Sequence, residues 1–390
     1  MQAKEGMMYE LLLKGGRVLD PTQGLDEELD VALAGGKVAR LAPRIPAEEA
    51  KEVLEVPGKL VTPGLIDMHV HVFAGVSHYG VDVDPGCLAK GVTTALDAGS
   101  AGSQTFPGFR RYIIDVCATR LFALLNISAI GMVTGMESTP AVGELEEIRY
   151  LHTGAAIQTI EENRDVILGV KVRLSSYLAR DGQNERQALK LAREAADAVQ
   201  LPLMIHTPDS SLPLEDILAM MKEGDILTHC FHGRRAGILD ERGKVRGAVR
   251  KAIERGVLLD VGHGVGSFTF QTATTAMAQG IMPSTISSDL HRYNINGPVF
   301  DLATTVSKFL LLGVPLDEAL KRVTTHPARA LKMEGQIGTL KEGAEGDVAV
   351  FELAEGEFSF VDTAGEERIG HQKLIPVHVI RGGKIYRKGN

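Results

Sequence analysis

Residues 61–73 read VTPGLIDMHVHVF, an apolar run that ends in two histidines separated by one residue. Alternate side chains of a β-strand share one face, so His69 and His71 are predicted to point the same way, together with Asp67. The Pro-Gly turn within this stretch indicates that a buried strand follows it. Such a histidine pair is weak evidence for a metal site on its own, so its interpretation depends on the rest of the chain.

The composition is typical of a globular protein with a sizeable core, since 44% of the 390 residues are hydrophobic. The formal net charge is −8 and the isoelectric point is about 5.9, which gives no basic stripe for nucleic acid. Three cysteines without a CxxC spacing indicate reduced thiols. The start, MQAKEGMMYE, lacks an apolar signal core, and no apolar run is long enough to span a bilayer. We therefore expect a cytoplasmic protein without nucleic-acid or membrane partners.

Both ends of the chain contain short alternating segments with Gly-Gly turns, a pattern that predicts β-hairpins. The segments are LLLKGGRVLD and LDVALAGGKVARLAP near the start, and GDVAVFEL and IPVHVIRGGKIYRKG near the end. Both ends share this hairpin pattern, and the middle of the chain lacks it. We therefore expect residues 1–64 and 334–390 to form one composite β-sandwich.

The middle of the chain, residues 65–333, alternates short apolar runs with helical patterns. The eight runs are LIDMHVHV, GVTTALDAG, LFALLNISAI, VILGVKVRL, LPLMIHT, DILTHC, GVLLDVG and STISSD. The clearest amphipathic helix is predicted for NERQALKLAREAADAVQ. Eight buried parallel strands with helices between them indicate an α/β fold, a (β/α)8 TIM barrel. A doubly wound sheet is the alternative, but its glycine-rich phosphate loop is missing.

Metal-binding residue types collect at the ends of the predicted strands, where such barrels carry their chemistry. In strand order they are His69 and His71, then Lys171 with Arg173, then His206, His229 and Asp289. This convergence from five strands predicts a metal site at one face of the barrel.

These segments resemble the amidohydrolase superfamily of metal-dependent hydrolases, in its dihydroorotase-related amidohydrolase/deacetylase branch. The matching motifs are PGLIDMHVH, GVKVRLS, MIHT, LTHCFH, SSDLH and THPARALKMEGQIGTLKEGAEGDVAVFE, in the family's order and over nearly the whole chain. The resemblance implies a (β/α)8 barrel with a small β-sandwich from both termini. It also implies a binuclear centre, with His69, His71 and Asp289 on the more buried ion and His206 and His229 on the second.

Lys171 is implied by the resemblance to bridge both ions as N6-carboxylysine, a carbamate derived from CO2. An ammonium group would be repelled by two divalent cations, whereas a carbamate supplies two anionic oxygens. The nitrogen and oxygen ligands suit zinc best. Two such ions would lower the pKa of a bridging water, and Asp289 would act as general base and acid between that hydroxide and the leaving group.

Three further residues are candidate contacts to the substrate. Arg173 shares the inward face with Lys171 and is predicted either to bind a carboxylate or to form an ion pair at the barrel rim. His263 follows the seventh run and is predicted to line the pocket or to be structural. Arg292 follows Asp289 in a loop that is predicted to fold over the opening of the barrel.

The expected reaction is hydrolysis of an amide or ester acyl bond in a small anionic molecule, such as an acylated amino or hydroxy acid. A cyclic amidase of the dihydroorotase or hydantoinase kind is the alternative. Dihydroorotases carry a carboxylate-binding arginine two residues after the histidine pair, where this chain has Phe73. An inactive barrel that serves as an assembly partner is the rival from another class, but all six metal-binding positions are filled. Homo-oligomerisation is left open.

Lys171→Ala should abolish hydrolysis and weaken metal retention, because the variant lacks the bridging anion. Both effects are measured after supplementation with divalent metal and bicarbonate, by assay and by elemental analysis of the purified protein. Full activity in the variant would contradict the bridging role. A wild-type chain that holds no divalent metal under these conditions would favour the inactive scaffold.

Overall fold

The computed structural model describes residues 8–135 and 142–387. The expectation about a signal segment rests largely on residues 1–7, which lie outside these ranges. Within them, no helix is both long and apolar enough to cross a membrane. Two sheets organise the described chain, one mixed and one parallel.

The strands and helices follow one another as the sequence pattern predicts, with strands at both ends and alternation between. The strands are β1 (Tyr9–Asp20), β2 (Leu25–Ala34), β3 (Lys37–Ala42), β4 (Ala50–Glu55), β5 (Leu60–Pro63), β6 (Leu65–Val70), β7 (Val92–Gly102), β8 (Arg120–Asn126), β9 (Ile167–Arg173), β10 (Leu203–His206), β11 (Ile226–Thr228), β12 (Leu258–Leu259), β13 (Val348–Val361), β14 (Glu367–Arg381) and β15 (Lys384–Ile385). The helices are α1 (Val83–Gly86), α2 (Phe106–Phe109), α3 (Thr153–Glu162), α4 (Glu185–Val199), α5 (Leu214–Met220), α6 (Gly247–Glu254), α7 (Phe270–Met277), α8 (Leu302–Leu311), α9 (Leu316–Lys321) and α10 (Thr325–Ala330).

The mixed sheet joins the two ends of the chain. Its order is β15-β14-β13-β5-β1-β2-β3, and β4 pairs with β1. The two ends meet where β13 pairs antiparallel with β5, with Val348 opposite Pro63 and Phe351 opposite Leu60. Apolar side chains from both ends share one cluster, including Val61 and Val350. A sheet from both termini is therefore present as predicted, while the boundaries 1–64, 334–390 and 65–333 stay predictions.

The parallel sheet has the order β12-β11-β10-β9-β8-β7-β6, which is chain order reversed. Its strands coincide with seven of the predicted apolar runs, and most of their residues are buried. Helices pack on its outside. Helix α4, predicted from its amphipathic pattern, places Leu189, Ala192 and Val199 in the core and contacts β9 and α3. The sheet is therefore covered, as parallel sheets require.

The eighth predicted run, STISSD, forms no ladder. Thr285 within the run forms a single parallel bridge to Asp260, and Leu290 directly after the run forms one to Val70, so residues 284–290 lie between β12 and β6 at the two edges of the sheet. Asp289 has a φ of 49°, a left-handed conformation that interrupts extended backbone. The parallel sheet is therefore curled, and residues 284–290, called the linking segment below, connect its two edges. A regular eighth strand stays a prediction.

Asp20 connects the first strand to the segment that precedes β13. Its buried carboxylate accepts hydrogen bonds from the Leu340 backbone N–H at 2.7 Å and the Thr339 hydroxyl at 2.8 Å. It also accepts from the Thr22 N–H at 2.9 Å and the Gln23 amide at 2.8 Å. One side chain thus satisfies donors more than 300 residues apart in the chain.

Asp20→Ala should destabilise the protein by about 2–4 kcal/mol, because it leaves several buried donors without an acceptor. The matched control is Asp26→Ala, which removes an exposed partner of Arg17 and should cost about 1 kcal/mol or less. Urea denaturation followed by circular dichroism compares the two. Equal losses would contradict the structural role of Asp20.

Candidate active site

The six residues predicted to bind metal line one cavity at the carboxyl ends of the parallel strands. The cavity has a volume of about 70 Å³. The six are His69, His71, Lys171, His206, His229 and Asp289. They come from β6 and the residue just after it, from β9 and β10, from the turn after β11 and from the linking segment 284–290. Because parallel strands end at one edge of their sheet, side chains 220 residues apart in the chain meet there.

A compact cluster lies at the centre of the cavity. Asp289 Oδ1 is 3.3 Å from His71 Nε2 and 3.5 Å from His69 Nε2. One ligand atom from each of the three residues lies within 4.8 Å of the others. Asp289 Oδ1 is buried and has no hydrogen-bond partner. A buried, unpartnered carboxylate oxygen beside two imidazole nitrogens fits a divalent cation, which would satisfy all three.

Lys171 extends into the same cluster from β9. Its Nζ is 3.3 Å from His69 Nε2 and 3.4 Å from Met204 Sδ. A Cβ at Gly99 would lie 2.7 Å from the lysine side chain, so this glycine of β7 leaves room for it. Burial lowers the pKa of Lys171 to about 8, against the opposing charge of Asp289. A larger fraction is therefore neutral amine, the form that can react with CO2.

Hydrogen bonds set the tautomers of two histidines. His229 Nδ1 lies 2.7 Å from the Gly262 carbonyl, which can only accept, so Nδ1 carries the proton. His69 Nδ1 lies 2.8 Å from Thr228 Oγ1. That hydroxyl donates to Asp260 at 2.7 Å and therefore accepts from His69. Both rings are left with a lone pair on Nε2, which is the state that binds metal.

His206 is held in the opposite tautomer. Its Nε2 lies 3.1 Å from Ser175 Oγ, and that hydroxyl donates to the Pro208 carbonyl at 2.6 Å. The ring therefore donates from Nε2 and keeps its lone pair on Nδ1. Burial lowers the pKa of His206 well below its usual range and that of His229 to about 3. The imidazoles are neutral near pH 7 and available as ligands.

Two buried carboxylates support this cluster from below. Asp260 accepts hydrogen bonds from the hydroxyls of Thr285 at 2.6 Å, Thr228 at 2.7 Å and Ser287 at 2.7 Å. The sequence placed Asp67 on the same strand face as His69 and His71. Its carboxylate accepts a hydrogen bond from the backbone N–H of Ser288 at 3.0 Å. It does not contribute to the cavity wall. Both carboxylates fasten the linking segment that carries Asp289.

Arg173 is occupied by another residue. Its Nε and Nη2 donate to the two oxygens of Glu144 at 2.7 and 2.8 Å, and both side chains are buried. The guanidinium carbon also lies 5.4 Å from the ring centre of Tyr79. Arg173 does line the cavity, but of its two predicted roles the ion pair is the arrangement observed.

The other two candidate substrate contacts lie away from the cavity wall. His263 is fully buried, and its Nε2 accepts from Lys308 Nζ at 2.7 Å while its ring stacks on Phe268. Arg292 is exposed and lies over the Tyr293 ring at 5.5 Å. Neither is among the residues that form the cavity.

The sequence reasoning missed the four other cavity residues that have aromatic, imidazole or guanidinium side chains: Tyr79, Tyr177, Arg234 and His291. His291 stacks on Tyr79 with ring centres 4.4 Å apart. Its position two residues after Asp289, within SSDLH, is a signal that alternation could have used. Tyr177 lies in the short 3-10 helix Ser176–Leu178, and Tyr79 and Arg234 lie on loops, where spacing alone predicts no direction.

Comparisons with known proteins identify the family and related folds. The profile of the amidohydrolase family matches residues 60–385. A deacetylase from Enterococcus faecalis is 35% identical over 384 residues, which cover 97% of this chain and 100% of the relative. Among solved structures, an adenine deaminase aligns with a TM-score of 0.88 and 34% identity, covering 97% of this chain and 99% of that one. A dihydroorotase aligns with a TM-score of 0.86 and 30% identity, covering 96% and 97%.

Asp260→Asn should lower metal affinity roughly 10- to 100-fold, because an amide cannot accept all three hydroxyl bonds and His69 loses its orientation. Chelator competition measures the affinity. The control is Asp225→Asn, an equally buried carboxylate that accepts from the Leu203 and Lys222 N–H groups near the opposite ends of the strands. It should reduce stability only, and equal losses of affinity in both variants would contradict the role of Asp260.

Proposed function

The chain belongs to the amidohydrolase family, and we propose that it removes an acyl group from a small anionic substrate such as an acylated amino or hydroxy acid. It is a hydrolase that acts on amide bonds, and the relatives named deacetylase support the deacetylase type. The observation that supports this proposal most is the unpartnered Asp289 oxygen beside His69 and His71. These three residues could hold the metal ion that hydrolysis of an acyl bond by this family requires.

We propose that the centre holds two divalent ions, most suitably zinc given the ligand types. His69, His71 and Asp289 would hold one ion, His206 and His229 the other, and the carbamate of Lys171 would span both. The chemistry such ions supply is polarisation of the substrate carbonyl and acidification of water. The tautomers of His69, His206 and His229 and the lowered pKa of Lys171 support the assignment.

Asp289 is the proposed general base and acid. It takes the proton of the attacking water and passes it to the nitrogen or oxygen of the leaving group. Its Oδ2 faces Gly264, where a Cβ would lie only 2.4 Å away. Because Gly264 has no side chain, this carboxylate oxygen has space to accept the proton of the water and to donate it to the leaving group. Asp289 itself takes the left-handed conformation that turns its side chain into the cavity.

The proposed architecture is a closed (β/α)8 barrel over residues 65–333, with a β-sandwich from residues 1–64 and 334–390. The bridges at Thr285 and Leu290 support closure, since they tie the linking segment to both edges of the parallel sheet. The high TM-scores against the adenine deaminase and dihydroorotase structures support it as well.

A cyclic amidase is the second candidate, favoured by the likeness to a dihydroorotase structure. Phe73 weighs against it. The ring is buried, packs on Phe109 with centres 4.7 Å apart and stays out of the cavity wall. Residue 73 is therefore a core aromatic in this chain and offers no cation to a substrate carboxylate.

Metal-loaded enzyme should hydrolyse N-acetyl amino acids or O-acetyl hydroxy acids, because their acyl group suits the small metal cavity. Acetate release is measured across a panel that also contains dihydroorotate, hydantoin and adenine. Turnover of dihydroorotate or hydantoin with no acyl substrate cleaved would reverse the ranking. Release of ammonia from adenine alone would replace both candidates.

A further inference from the structure

Among the described residues, three lysine or arginine side chains reach the wall of the metal cavity: Lys171, Arg173 and Arg234. Lys171 lies within the metal cluster, and Arg173 is committed to Glu144 through two hydrogen bonds that are shielded from water. A bidentate, buried pair of this kind is costly to break. Arg234 is the remaining cation for an anionic substrate.

Arg234 is held loosely. Its side chain is 44% exposed, and only its Nη1 donates to a carboxylate, that of Asp209. Its Nη2 lies against Gly266, where an added Cβ would be 2.4 Å away. The guanidinium therefore rests on bare backbone at the cavity rim. A guanidinium has five N–H donors, so one bond to Asp209 leaves most of them available.

The position of Arg234 is also a boundary. It lines both the metal cavity of about 70 Å³ and a neighbouring cavity of about 490 Å³. Arg235 and Arg246 line the larger space as well. Small-molecule sites usually measure roughly 300–1,000 Å³, so the metal cavity has room for the reacting group but not for a whole substrate. The remainder of the substrate must extend past its wall.

We infer that Arg234 binds the carboxylate of the substrate and thereby determines specificity, with the acyl group at the metal centre and the anionic end towards the larger cavity. This inference rests on the proposed function. The planar guanidinium matches a carboxylate bidentately, which a lysine in the same place would not. Asp209 positions the guanidinium and remains beside the substrate carboxylate.

The test compares each N-acetyl amino acid with its carboxamide, using zinc-loaded enzyme supplied with bicarbonate. For Arg234→Ala, KM for the carboxylate substrate should rise roughly 10- to 100-fold, while kcat and the kinetics of the carboxamide change little. Arg234→Lys should recover part of the loss. The matched control, Arg235→Ala, removes an exposed neighbouring cation that lines only the larger cavity and should leave the ratio of the two substrates unchanged.

A second variant separates binding from simple neutralisation, since Arg234→Ala leaves Asp209 unpaired to repel an anion. The double variant Asp209→Asn/Arg234→Ala should still have the raised KM. Two results would overturn the inference and leave the proposed function standing. One is a wild-type KM in the double variant. The other is an equal loss of kcat/KM on the carboxylate and the carboxamide in Arg234→Ala. A wild-type enzyme that cleaves neither compound would contradict the proposed function itself, and the inference with it.

Discussion

The structure depends on burying a cluster of titratable side chains around one small cavity while keeping them oriented. An unsatisfied buried polar group costs about 1–3 kcal/mol, and more when it is charged. The Asp289 oxygen between His69 and His71 is such a group. A cation bound there would remove the cost, so stability and metal binding are expected to be linked. The same burial keeps the imidazoles neutral and brings the pKa of Lys171 down to about 8.

The surrounding fold supplies the orientation that burial alone does not. Hydroxyls and backbone carbonyls set the tautomers of His69, His206 and His229. Asp260 and Asp67 hold the segment that carries Asp289. These supporting groups belong to different strands of the curled parallel sheet. The mixed sheet is built from the chain's two ends, and its strands contribute no residue to the cavity wall, which is formed by the parallel strands and their loops.

The proposed substrate choice depends on which cations the fold leaves available to an anionic substrate. Glu144 occupies Arg173, and Phe73 is packed into the core against Phe109. Arg234 has one partner and lies at the rim. The deacetylase, adenine deaminase and dihydroorotase relatives share the scaffold and differ in name, as expected when loops rather than strands select the substrate.

The sequence by itself determined the strand ends and therefore the six predicted metal-binding residues that meet in the cavity, because alternation and strand order dictate direction for side chains on a sheet. It also indicated seven of the parallel strands and the sheet from both termini. Only the tertiary structure decided that STISSD forms an isolated β-bridge and no regular strand ladder. It also decided that Arg173 and His263 are hydrogen-bonded to other side chains. Their partners, Glu144 and Lys308, lie on other elements, and a contact between loops or helices distant in the chain leaves no periodic pattern in the sequence.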